Sequence, residues 1–164
     1  MVIINMEDYY PKIVALVTSG SIERKTICTV AWHTPLSHHP HLYGISIGKT
    51  RFTHTLINET KSFAVNFLSS GFQEQMSYCG TITGKNHDKF ESCGFTPAVF
   101  EKSRSVYIRE SYFAIGCKLV NSVDAGDHTF FIGEIVDEYR NSKKRGPPPL
   151  YTGGAPLYTV PRDF

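Results

Sequence analysis

Six residues near the end of one strand-like run carry the densest chemistry in the chain. They are Gly48, Lys49, Thr50, Arg51, Thr53 and His54, set in TVAWHTPLSHHPHLYGISIGKTRFTHTLI, residues 29–57. Two cations, two hydroxyls and an imidazole surround the start of a predicted helix. A helix N-terminus presents unpaired N–H groups and the positive end of a dipole. Together these make an anion pocket of phosphate size. The alternative for Lys49 and Arg51 is a pair of solvated cations at a helix start. That placement opposes the dipole unless an anion lies between them. The strand and loop before them offer backbone and small polar groups suited to something flat.

A second candidate is Gly126-Asp127-His128. A titratable imidazole follows a glycine turn at the mouth of a strand. It either caps the turn or faces a cleft, where a pKa near neutrality is useful.

Other motifs carry less. Gly80-Thr81-Ile82-Thr83-Gly84-Lys85-Asn86 resembles a P-loop, but has three residues between its glycines and Asn after its Lys. A nucleoside triphosphate site needs four residues and a Ser or Thr there. GxGxxG is missing from the sequence, which disfavours a Rossmann dinucleotide site. The four cysteines, Cys28, Cys79, Cys93 and Cys117, have no metal-ligand spacing. The dense His38-His39-Pro40-His41 reads as a surface loop rather than a metal site, so no metal is expected.

Elements that would position these residues follow from periodicity. Residues 12–19 (KIVALVTS), 26–32 (TICTVAW), 42–47 and 62–68 (SFAVNFL) read as strands, and residues 52–59 as a short amphipathic helix. Residues 72–78 and 87–93 are short helix candidates, the latter stopped by Gly94. Residues 112–121 and 129–139 resume strands around the turn at 124–127. From Gly146 the Pro- and Gly-rich tail reads as an ordered arm. Strands dominate without regular strand–helix alternation. The expected fold is therefore mainly β: a closed or split β-barrel with short helices on its rim.

A length of 164 residues fits one domain, 1–164, with its own core. The net charge of +2 and the single basic triplet Lys143–Arg145 argue against a nucleic-acid partner. No apolar run approaches the ~20 residues of a membrane helix. The N-terminus carries two acids and a proline in twelve residues and does not read as a signal peptide. Cysteines in apolar strand runs suit a reducing cytoplasm.

The chain resembles the flavin reductase-like family, whose members bind FMN in a split β-barrel. The matching pieces run in order: VALVTS at 14–19, ICTVAWHTPLSHHPHLYGISI at 27–47, KTRFTHTLI at 49–57 and FAVNFL at 63–68. YCGTITGKNHDKFE at 78–91 and GDHTFFIGEIV at 126–136 follow. The tail PLYTGGAPLY at 149–158 is similar to the flavoredoxin-like branch. The resemblance implies an FMN-binding oxidoreductase that takes electrons from NAD(P)H and passes them to an acceptor. The acceptor is free flavin, a ferric chelate or a partner protein. The alternative is a non-catalytic FMN electron carrier of the flavoredoxin type. The resemblance also implies a homodimer with FMN near the interface. Thr29, Val30, Ala31, Trp32 and His33 would line the ring with Ser46. Gly48, Lys49, Thr50, Arg51, Thr53 and His54 would surround the phosphate, and His128 would lie near the ring where nicotinamide approaches. Asn86-His87 departs from the family's commoner Arg-Asp pairing before DKF.

Overall fold

Apolar and β-branched runs at residues 14–18 and 62–65 become inner strands of one antiparallel sheet in a computed structural model, which describes residues 9–153 and 158–159. The expectation of no leader at the N-terminus and part of the expected arm fall outside the described residues. In chain order the strands are β1 (Lys12–Ile13), β2 (Ala15–Gly20), β3 (Lys25–Val30), β4 (His33–His38) and β5 (His41–Gly48). Helix α1 (Phe52–Thr60) leads to β6 (Ser62–Phe67). Helices α2 (Gln73–Thr81) and α3 (Lys89–Cys93) precede β7 (Pro97–Val99) and β8 (Val106–Ile108). The long pair β9 (Phe113–Ala125) and β10 (His128–Arg140) is followed by β11 (Leu150–Tyr151) and β12 (Tyr158–Thr159).

The main sheet has seven strands in the order β3-β2-β6-β9-β10-β5-β4. Beyond its ladders, the Ser46 N–H on β5 donates to the Trp32 carbonyl just past β3, at 2.9 Å. That bond ties one side of the sheet back to the other, and the fold is a mainly β split barrel. β1, β11 and β12 form a separate small sheet, as do β7 and β8.

β2 shows why its run is continuous rather than alternating. Ala15 and Val17 face one apolar cluster with Ile45, Ile47, Phe63, Val65 and Phe131. Val14 and Leu16 face a second, with Ile27, Met76, Cys79, Phe90 and Phe95. A strand buried on both faces takes a continuous apolar run, and the buried hydroxyls that end it, Thr18 and Ser19, donate to the carbonyls of Val106 and Ser62. The helices α2 and α3 cover the second cluster.

The structure departs from the sequence reading in three places. The run 12–19 is broken at Val14, whose N–H donates to the Pro149 carbonyl at 3.0 Å. The stretch read as a loop after Trp32 is instead strand β4, paired with β5 across a register shift at Pro35 and Ser37. The turn region 124–127 narrows to Gly126-Asp127, because β9 and β10 pair to the register His128↔Ala125. Gly126 has φ +71, the left-handed geometry such a tight turn requires.

No helix among the described residues is long and apolar enough to cross a membrane.

Candidate functional site

Two adjoining depressions lie where β3, β5, α1 and α2 meet. The larger is a cleft of about 460 Å³. One wall is Thr29, Val30, Ala31 and Trp32, and the floor is Ser46, Ile47 and Gly48 of β5. Ser77, Gly80 and Thr81 of α2 close another side, and His128 stands at the rim. Tyr10, Tyr151 and Gly153 bring both ends of the described chain to its mouth. The smaller pocket, about 120 Å³, sits beneath the start of α1. It is lined by Thr26, Thr50, Arg51, Thr53, the loop Thr81–Gly84 and Lys89. Cys28, Arg51 and Thr81 belong to both linings, so the two spaces meet there.

The smaller pocket is built for an anion. Arg51 is the N-cap residue of α1, no side chain caps that end, and the first turn holds no acid. Apart from the His54 N–H, which donates to the Arg51 carbonyl at 3.0 Å, that end and its dipole are open to an external negative group. Lys89 is buried, and its ammonium donates to the carbonyls of Ile27 at 2.7 Å and Cys79 at 2.8 Å. Burial pulls its pKa below the ordinary lysine value; the thiols of Cys28 and Cys79 oppose that and Arg51 adds to it. Thr26 is 1% exposed, and its Oγ1 has no hydrogen-bond partner among the described residues. A buried hydroxyl left unpaired costs about 1–3 kcal/mol. Thr26 lines this pocket together with a lysine and an arginine, where an entering oxyanion would offer its hydroxyl an acceptor.

At the cleft rim, His128 Nδ1 lies 2.7 Å from the Asp127 carboxylate, which makes Nδ1 the protonated nitrogen. Nε2 lies on the side of Gly48, 3.6 Å from where a Cβ would sit there. The imidazole and the Trp32 indole approach at 5.0 Å between ring centres, tilted by 46°. The Trp32 Nε1–H donates to the Tyr10 hydroxyl at 3.0 Å, and Tyr10 meets Tyr151 edge-on at 5.0 Å. The Thr29 hydroxyl donates to the Met76 carbonyl, coupling the ring-side wall to α2.

Of the residues picked from the sequence, Thr29–Trp32, Ser46, Gly48, Arg51 and His128 line the cleft, and Thr50 and Thr53 line the smaller pocket. Three are placed elsewhere. Lys49 pairs with Asp124 at 2.7 Å, and its backbone N–H donates to the Asp127 carbonyl at 3.0 Å. It holds the β9–β10 turn and lines neither space. His54 turns to β10, where Nε2 meets the Thr129 hydroxyl at 2.9 Å and the ring packs on Phe131. Burial, then Lys49, lowers its pKa. His33 has both nitrogens engaged, by the Tyr43 hydroxyl at 2.7 Å and the Ile13 carbonyl at 3.0 Å.

Sequence reasoning missed Thr26, Lys89 and the two tyrosines. It set aside 80–86 as a triphosphate site, yet Thr81–Gly84 forms a wall of the smaller pocket. No group of three or more His, Cys, Asp or Glu residues among those described is arranged to hold a metal.

The larger cleft of this split barrel thus opens onto a pocket that holds a lysine and an arginine. The flavin reductase like domain matches residues 6–157, and the chain belongs to that family. It is 35% identical to an uncharacterized protein of Archaeoglobus fulgidus, covering 82% of this chain and 76% of that one. It is 31% identical to an NADH-dependent FMN reductase of Streptomyces nodosus subsp. asukaensis, over 93% of this chain and 80% of the other. The crystal structure of a flavoredoxin from Methanosarcina acetivorans superposes with a TM-score of 0.86 at 26% identity, covering 100% of this chain and 92% of that one.

Proposed function

We propose that this protein binds FMN and passes reducing equivalents from NAD(P)H to an acceptor: free flavin, a ferric chelate or a partner protein. The observation that carries this is the buried, unpaired Thr26 hydroxyl in a pocket it shares with Arg51 and Lys89. A phosphate would be held there by Arg51, Lys89, Thr50, Thr53 and Thr26. The isoalloxazine would lie in the larger cleft between the Thr29–Trp32 wall and Ser46–Gly48. When bound, the flavin supplies the hydride and electron chemistry. The chain's own task is to orient the ring, exclude water with Trp32, Tyr10 and Tyr151, and present His128 Nε2 as a hydrogen-bond acceptor at the rim.

An FMN reductase among the relatives supports both the cofactor and the NADH donor. A redox partner and a homodimer belong to the same proposal. Trp32, Leu36 and Val123 are exposed apolar side chains on or beside the cleft-bearing strands, suited to a second subunit. So does a cytoplasmic location for one domain spanning 1–164, which the four free thiols support.

The test is an absorption titration with FMN, FAD and riboflavin, followed by anaerobic addition of NADH and then NADPH. FMN binding with bleaching by a nicotinamide supports the reading. FAD bound to the exclusion of FMN removes the phosphate assignment. The second reading is a non-catalytic carrier, favoured by the likeness to flavoredoxin. Such a protein keeps its FMN but does not oxidise NADH or NADPH with free flavin or ferric chelate.

A further inference from the structure

Cys79 and Cys93 face each other across the two helices that flank the smaller pocket. Their sulfurs are 3.7 Å apart and both are free thiols. Cys79 is fully buried on α2, and its carbonyl is one of the two that hold the Lys89 ammonium. Cys93 is half-buried and ends α3, a helix of only five residues. The chain between them contains the Thr81–Gly84 wall and Lys89. The two thiols therefore bracket a segment that supplies both a wall and a buried cation to that pocket.

We propose that Cys79 and Cys93 form a peroxide-oxidisable dithiol whose disulfide staples this pocket-wall segment in place. A disulfide bond is about 2.05 Å long, so the sulfurs must approach by roughly 1.6 Å. A rotation of Cys93 and a small shift of the last turn of α3 supply it. Cys93 is the sulfur a reagent reaches. Its thiolate attacks one oxygen of hydrogen peroxide, breaking the O–O bond and leaving a sulfenic acid and hydroxide. The Cys79 sulfur, giving up its proton, then attacks the Cys93 sulfur and expels the oxygen as water. In sum two thiols and one peroxide give one disulfide and two waters, the two electrons coming from the sulfurs. Burial raises both thiol pKa values, most strongly that of Cys79, so thiolate is scarce and the reaction calls for millimolar peroxide.

None of this depends on what occupies the cleft, and the test needs no ligand. The folded protein is treated with millimolar hydrogen peroxide, quenched, then unfolded in denaturant and blocked with an alkylating reagent. The expected result is a fall from four alkylatable thiols to two, and a loss of two hydrogens in the intact mass. A linked peptide pair containing Cys79 and Cys93 should be recovered, and a dithiol reductant should restore all four thiols. The oxidised protein should melt about 5–10 °C higher, as expected for closing a loop of this length. Cys93→Ser should keep three alkylatable thiols after the same treatment and show no rise in melting temperature. Four surviving thiols in the native protein would overturn the proposal. So would stepwise oxidation of Cys93 to sulfinic acid without cross-linking, or links only between molecules.

Discussion

Gly84 lies directly against Thr26: a Cβ added to Gly84 would overlap the Thr26 hydroxyl oxygen and reach within 3.0 Å of the Thr26 Cβ. The pocket-wall loop and β3 are thus in contact at a buried hydroxyl that has no partner among the described residues. Gly84→Ala should destabilise the protein by about 1–3 kcal/mol through overpacking. Combining it with Thr26→Ala should recover most of that loss, because the atom in the way is gone. Chemical denaturation of the single and double variants measures this. A loss that persists in the double variant would show that the loop backbone, not Thr26, sets the limit.

Thr26→Val should move stability and binding in opposite directions. Replacing an unpaired buried hydroxyl by a methyl removes a desolvation cost, so the ligand-free protein should hold or gain stability. FMN affinity should fall by about 0.5–1.5 kcal/mol, the net value of a hydrogen bond. Riboflavin, lacking the phosphate, should be unaffected. Unchanged FMN affinity would remove Thr26 from the phosphate site.

Arg51→Ala should weaken FMN binding by about 1.5–3 kcal/mol, the scale of a charge-assisted hydrogen bond, and leave riboflavin almost untouched. Lys49→Ala should change FMN affinity less than twofold, because its ammonium is engaged by Asp124. Isothermal titration with both flavins checks the pair. An equal loss in the two variants would mean that Lys49 leaves Asp124 for the phosphate.

His128→Ala should keep FMN and its yellow colour, while the rate of anaerobic reduction by NAD(P)H falls tenfold or more. That is about 1.4 kcal/mol of transition-state stabilisation. The imidazole stands at the rim beside Trp32 and is held by Asp127. A stopped-flow trace of the loaded variant that matched the native protein would leave His128 as a turn cap.

Asp88 should give acid-dependent stability. It caps α3 by accepting from the N–H groups of Phe90 at 2.9 Å and Glu91 at 3.2 Å, and pairs with Lys25 at 3.2 Å. Partial burial alone would raise its pKa. The Glu91 N–H, the Lys25 ammonium and the Phe90 N–H outweigh it and hold the carboxyl below its usual 3.8. The unfolded chain then binds the proton more readily, so the contribution is complete above pH ~4.5 and lost as pH falls through the folded value. Asp88→Asn keeps a capping oxygen without the charge. Its deficit in melting temperature should be largest near pH 7 and close toward pH 3. A deficit independent of pH would assign the effect to packing.

The strands at 62–68 and 112–121 were legible because their composition is set by the sheet they build. The doubly buried β2 was legible for the same reason. β4 was not, because His33-Thr34-Pro35-Leu36 looks like a loop until β5 supplies its ladder. At the site, Arg51, Thr50 and Thr53 were legible from the helix start alone. The pairing of Lys49 was not legible, because its partner Asp124 is 75 residues away and nothing local separates a paired cation from an open one. Lys89 was hidden inside a short helix, since only the fold sets its ammonium against Ile27 and Cys79. The loop at 81–84 was judged against a triphosphate pattern, whereas its position beside Thr26 depends on α2 ending at Thr81.

The tip of the β9–β10 hairpin is fastened to the start of α1 twice, through the Lys49 ammonium on Asp124 and the Lys49 N–H on the Asp127 carbonyl. The same tip carries His128. Bending the hairpin therefore drags the imidazole and the helix entrance together, as one lever resting on Lys49. The rim of the larger cleft and the entrance to the helix therefore share one anchor.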